Sequence, residues 1–283
     1  MATQTAPVTF DVYVAPPRRT FTDDPPPGAK QRWWSPISAT LITGHHDAVL
    51  VDALLTIGQA HDLADWVAAH GKHLTAVYIT HGHGDHWFGL STILDRFPDA
   101  QAFALPAVIE QMRRASKPEL LTGWHSRFPG QIPEDIVLAE PVPSQMIELE
   151  GQDLVAVGLG HTDTDETTCL HVPAIGLVVA GDAAYNDVHL HLTESSPQGR
   201  QDWIAALDLI ESLRPRAVIA GHKRADREND PHIVEETRRY IYDFDRIAET
   251  TSTARALYDQ MLSIYPLRVN PGALWGAART WKR

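Results

Sequence analysis

The stretch Thr80-His81-Gly82-His83-Gly84-Asp85-His86 constrains this chain more than any other. It follows the apolar, partly β-branched run 74–79, which reads as a buried strand. A helix would bring together residues three or four apart, but His81 and His83 are two apart. The two glycines permit a sharp turn just past the strand end. Looped backbone is therefore the host this spacing asks for. Imidazole nitrogens and carboxylate oxygens at such density are the donors of a catalytic zinc, which keeps one position for water or substrate.

Three further candidates repeat the arrangement. His161 follows the apolar run 154–160, Asp182 follows 176–181 and His222 follows 216–221, each directly after a glycine. Buried strands that end in polar side chains deliver them from a rigid scaffold to one shared edge. Polar turn histidines do not account for several strand ends built to one pattern.

The set HxHxDH, then His161, Asp182 and His222 in that order, resembles the metallo-β-lactamase-fold hydrolase superfamily, over roughly residues 35 to 225. That resemblance implies an α/β fold, a four-layer αβ/βα sandwich of two mixed β-sheets flanked by helices. It implies two metal ions, expected to be zinc, with iron, manganese or cobalt as alternatives. His81, His83 and His161 would hold one, Asp85, His86 and His222 the other, and Asp182 would bridge them. Asp52, ending the run 48–52, would support the metal loop from behind. Tyr185 lies three residues past Asp182 and in that respect resembles the N-acyl homoserine lactone lactonases, where a tyrosine touches the substrate carbonyl oxygen.

The activity so implied is opening of a lactone or carboxylic ester by a metal-bridging hydroxide, with Asp85 or Asp182 carrying a proton to the leaving group and Tyr185 donating to the oxyanion. β-Lactam hydrolysis and thioester hydrolysis of the glyoxalase II type fit the same ligands. So does a mononuclear-iron persulfide dioxygenase on this fold. A binding module that kept the ligands without turnover is a third class. No Gly-x-Ser-x-Gly elbow offers a serine nucleophile.

Composition narrows the setting. A length of 283 residues with 43% hydrophobic content supports a sizeable core. One domain, 1–283, is expected, with an N-terminal arm over 1–34, a lid-like excursion over 105–150 and a C-terminal helical region over 231–283. The net charge of −12 and the lack of a basic cluster argue against nucleic acid and leave a small-molecule substrate. The single cysteine, Cys169, excludes a disulfide within the chain. With no membrane-length apolar run and no signal-peptide pattern, no membrane span is expected and cytoplasm is the default. A homodimer is left open.

Several side chains carry two readings. His45 and His46 sit in the turn of a hairpin formed by 38–43 and 48–52 and read as solvated. Trp33 and Trp34 cover core edges or share in a pocket. Trp124, His125 and Phe128 wall the pocket or pack the excursion onto the body. His189 and His191 alternate along an extended run, lining a pocket or a solvated strand face. Lys223 and Arg224 meet an anionic substrate group or lie on the surface. The polar loop 162–168 rims the site. Amphipathic helices are expected over 58–70, 87–97 and 202–213, with one or two more over 231–262.

Overall fold

The computed structural model describes residues 8–22 and 24–282; residues 1–7 and 23 of the expected arm, and residue 283, lie outside them. Strands β1 (Thr9–Ala15), β2 (Arg18–Arg19), β3 (Trp33–Trp34), β4 (Ile37–Thr43) and β5 (Asp47–Val51) lead into helix α1 (Ile57–Ala69) and strand β6 (His73–Tyr78). Helix α2 (Leu90–Arg96), strand β7 (Gln101–Ala104), helices α3 (Pro106–Ala115) and α4 (Pro118–Arg127) and strand β8 (Glu140–Pro141) complete the first half. The second half runs through β9 (Met146–Leu149), β10 (Gln152–Gly160), β11 (Thr167–Val172), β12 (Leu177–Asn186), α5 (Pro197–Ser212) and β13 (Ala217–Lys223). Helices α6 (Ile233–Thr250), α7 (Ala254–Ile264) and α8 (Pro271–Trp281) close the chain.

The strands form two mixed sheets, ordered β1-β4-β5-β6-β7-β8 and β13-β12-β11-β10-β9, with β2 and β3 as a separate ribbon. The hairpin β4–β5 is antiparallel, and β5, β6 and β7 run parallel because helices connect them. In the second sheet only the β12–β13 pair is parallel, across α5.

Why the strands read as unbroken apolar runs follows from burial on both faces. Successive strand residues point to opposite sides, so Ala48 and Leu50 of β5 face the helices α1 and α2. Val49 and Val51, with Ile42 and Tyr78 of their own sheet, face the other sheet and cluster there with Leu170, Val179 and Ile219. In β12, Val178 and Ala180 face the helices α5 and α6. Three apolar layers thus separate four layers of secondary structure: the expected α/β sandwich of the metallo-β-lactamase fold.

Local chemistry sets the boundaries. Helix α1 starts at a capping box, where Thr56 and Gln59 satisfy each other's backbone groups. Helix α5 starts earlier than the periodicity suggests, because Ser196 accepts from Gly199 N at 3.0 Å and Pro197 occupies its first turn. Conversely, Trp87–Gly89 are not helical. Gly89 lies so close to the Ala53 carbonyl that a Cβ would come within 2.1 Å of its oxygen. A short 3₁₀ turn, Gly84–His86, precedes it and keeps Asp85 and His86 with the loop. His189 and His191 do not share a strand face either: Asp187 takes a φ of 57°, and beyond it Val188 makes only an isolated bridge to Val269. The excursion 105–150 carries α3, α4, β8 and β9, and the tail folds back as α8.

Ile42 is fully buried between the sheets. Ile42→Ala is expected to cost about 2–5 kcal/mol in urea unfolding at neutral pH. A cost under about 1 kcal/mol would mean that the inter-sheet layer closes over the gap.

Candidate metal centre

The strand ends deliver their side chains to one edge. Asp52 stands just past β5 with a φ of 64°. Its carboxylate accepts from Thr80 N at 2.9 Å and from the Thr80 hydroxyl, and it binds His86 Nδ1 at 2.9 Å. The role expected for Asp52, holding the loop from behind, is thus filled geometrically. Other imidazoles are fixed the same way. His81 Nδ1 lies 3.0 Å from Thr80 Oγ1, and His222 Nδ1 lies 2.8 Å from the Pro36 carbonyl. Occupying one ring nitrogen fixes the orientation of the other, as around metal-ligating histidines.

The opposite nitrogens converge. His222 Nε2 stands 3.1 Å from Asp182 Oδ2 and 3.4 Å from Asp85 Oδ2, and His86 Nε2 stands 3.3 Å from Asp182 Oδ1. Donor atoms of Asp85, His86 and His222 all lie within 4.8 Å of one another. A second group, His81, His83, Asp163 and Asp182, meets the same limit. Gly221 makes room for them: a Cβ there would fall 2.2 Å from Asp182 Oδ1.

Among the described residues, buried polar atoms without a hydrogen-bond partner include His81 Nε2, His86 Nε2, Asp163 Oδ2 and Asp182 Oδ1. Orphaned buried donors and acceptors are expensive. Carboxylate oxygens and imidazole lone pairs aimed at common points are satisfied together by cations. The residues therefore fit divalent metal on the chemistry of the donor set.

Charge in the cluster is strongly coupled. Burial would raise the Asp182 carboxyl, but His222 and His86 outweigh it and hold the group well below its usual range. Burial would lower His222, yet Asp182 and Asp85 lift it to about 10. His86 is raised by the same carboxylates against its burial, whereas burial, aided by His86, pushes His81 down to about 4. Tyr185, fully buried, donates its hydroxyl to Asp182 Oδ2 at 2.9 Å; burial and then the Asp182 charge keep it a neutral phenol.

His161 is placed differently from the other sequence candidates. Its Nδ1 lies 2.6 Å from Asp165 Oδ1 and its Nε2 lies 2.9 Å from Ser195 Oγ. The ring rests against Gly199, where a Cβ would come within 2.5 Å of Nε2. The site that His161 was expected to complete is reached instead by Asp163, from the loop read only as a rim. The strand-then-glycine pattern pointed to His161, and Asp163 lies two residues further on in the polar loop.

The centre forms part of the wall of a cavity of about 680 Å³. Trp34 lines it and donates its indole N–H to Asp85 Oδ2 at 2.8 Å, a contact the sequence did not announce. Trp124 also lines it and packs edge-on to Trp34, whereas Phe128 is buried in the core and His125 is exposed outside it. Glu194 joins His83 and His191 at the mouth, 3.3 Å from His83 Nε2. Lys223 and Arg224 are engaged elsewhere, by Asn229 and Asp226. His45 and His46 stay in an exposed turn tied to Glu150.

His189 is buried beside Tyr240, with burial and then Arg268 pushing it down to about 3. Its folded pKa lies below its unfolded one, so its contribution is intact above about pH 6.5 and is lost as pH falls through the acid range. Unfolding free energy is expected to lose up to about 1.4 kcal/mol per pH unit to this group between roughly pH 6 and 4. His189→Gln should flatten that slope in urea titrations; an unchanged slope would mean that His189 charges in the folded state.

Residues 32–222 match the family model for the metallo-beta-lactamase superfamily. Among curated proteins, no sequence matches the chain. Similar solved structures include a metallo-beta-lactamase family protein from Thermus thermophilus, at TM-score 0.62 and 17% identity, covering 95% of this chain and 91% of that one. A metallo-beta-lactamase from Pontibacter korlensis aligns at TM-score 0.58 and 13% identity, covering 86% and 97%. One from Hirschia baltica aligns at 0.57 and 17%, covering 83% and 97%. At these identities the structural likenesses establish the fold alone.

Proposed function

The chain belongs to the metallo-β-lactamase superfamily, and from that premise we propose that it is a dinuclear-metal hydrolase that opens a lactone or carboxylic ester. The observation that carries the reading is the convergence of imidazole and carboxylate atoms, several of them orphaned, on two neighbouring points beside the cavity. His81 and His83 would serve one ion, and Asp85, His86 and His222 the other, with Asp182 between them. Such ions, zinc or another divalent metal, supply Lewis-acid polarisation of a carbonyl and a water nucleophile active near neutral pH.

The chain's own groups do the rest. Asp85 and Asp182 stay ionised under their imidazole neighbours, so either can accept a proton and hand it to a leaving oxygen. Trp34 and Tyr185 each hold one oxygen of these carboxylates and so set which oxygen remains available. Tyr185 keeps its proton and lines the cavity, so its hydroxyl, once turned from Asp182 Oδ2, would donate to an oxyanion. Its place three residues past Asp182, where the chain resembles the lactonases, is what favours ester and lactone bonds over β-lactams in this reading. Arg32, Arg127 and Arg279 line the cavity, the first and last paired with Asp24, and suit a polar or anionic tail on the acyl group.

Protein purified without chelator is expected to turn over a lactone or ester faster than a thioester or β-lactam, and to lose that turnover on chelation. Asp182→Ala should lose metal and activity together. Full turnover by metal-depleted Asp182→Ala protein would sink the mechanism.

Tyr185→Phe should lower kcat by about 10²-fold with metal content kept, the size expected for one oxyanion donor. Loss of metal in this variant would instead make Tyr185 a positioning residue for Asp182.

A further inference from the structure

The loop after β10 holds one fully buried carboxylate. Gly160 leaves the strand with a φ of 78°, and the β10–β11 register shifts between Gly158 and Gly160. The loop is then tied to itself: Thr162 N donates to the Thr164 carbonyl at 2.9 Å, and the Thr162 and Thr167 hydroxyls meet at 2.8 Å. Asp163 is fully buried inside it. The Thr162 hydroxyl holds its Oδ1 at 3.0 Å. Its Oδ2 has no hydrogen-bond partner and stands 2.8 Å from His83 Nδ1 and 3.9 Å from His81 Nε2.

A buried carboxylate oxygen aimed at two imidazole nitrogens is costly unless something positive lies among them. His161 has no such need, since both its nitrogens are engaged by Asp165 and Ser195. Swinging it inward would break both contacts.

We propose that Asp163, and not His161, completes the first metal position, with His81 Nε2 and His83 Nδ1 as its imidazole partners. This rests on the dinuclear reading above and assigns the one ligand which that reading leaves open. The centre then carries three carboxylates, Asp85, Asp163 and Asp182, with four imidazoles, His81, His83, His86 and His222. Oxygen donors favour manganese and iron, relative to zinc, more than imidazole does, and two histidines with one carboxylate is an iron(II)-type set. The first position therefore prefers Mn(II) or Fe(II) more than a three-imidazole site would.

The test uses the full chain, stripped by chelator and reloaded with cobalt(II) alone, read as cobalt per chain and as the visible d–d spectrum. Wild type and His161→Ala are expected to hold about two ions, and Asp163→Ala and the isosteric Asp163→Asn about one. Asp163→His should regain the second ion with a changed spectrum, and should shift zinc-against-manganese competition towards zinc. Thermal unfolding of Asp163→Asn checks that ion loss is not fold loss. Two ions retained by both Asp163→Ala and Asp163→Asn would overturn the assignment, and so would loss of an ion from His161→Ala, while leaving the dinuclear reading standing. A wild type that binds no cobalt would sink both.

Discussion

The centre depends first on the grip of Asp52 on the loop that follows β6. One carboxylate at the end of β5 binds the Thr80 amide, the Thr80 hydroxyl and His86 Nδ1. Next to it, Ala53 N donates to the His86 carbonyl at 2.7 Å. Two parallel strands are thereby locked to the loop at its start and its end. Without that grip, His81 and His86 would sit on a glycine-rich loop free to turn. Thr80 extends the link to the second sheet, since the Thr168 hydroxyl donates to its carbonyl at 2.7 Å. The two half-sites are therefore registered to each other through buried hydrogen bonds.

On that frame, the site concentrates charge where water is scarce. Opposite charges shift one another strongly in such a medium. Carboxylates hold His86 and His222 high while imidazoles hold Asp85 and Asp182 low, each against its own desolvation. The carboxylates that raise these imidazoles also favour a divalent cation, which takes the place of the imidazole protons. Asp163 joins these carboxylates from a third element, the self-tied loop between β10 and β11. Burial of the cluster makes these interactions strong; the open cavity beside it makes them usable.

The cavity wall also accounts for the aromatic residues. Trp34 reaches Asp85 from one side and packs on Trp124 and Phe128 on the other, so the arm and the excursion 105–150 are joined through the wall itself. Tail helix α8 adds the remaining side, where Arg32 donates to the Gly272 carbonyl at 3.1 Å. Residues from both ends of the chain thus share one wall with the metal centre. Among the described residues no helix is long and apolar enough to cross a membrane.

Much of this was legible in the sequence, because burial on both faces writes strands as short apolar runs and because His81, His83, Asp85 and His86 are adjacent in the chain. The strand-then-ligand pattern also marked His161, Asp182 and His222, and the end of β5 marked Asp52. What that pattern did not show was that Asp163, two residues past His161, is the side chain that turns inward. Both lie in one polar loop, and which of them turns inward depends on partners far away in the chain: Ser195 and Gly199 receive His161, while His81 and His83 face Asp163. Glu194, and the bond from Trp34 to Asp85, were hidden for the same reason. Local pattern determines which residues form strands, helices and ligand-bearing ends. Only the packing of one sheet, loop and helix against another decides which polar atom is left without a partner, and that atom is where the chemistry collects.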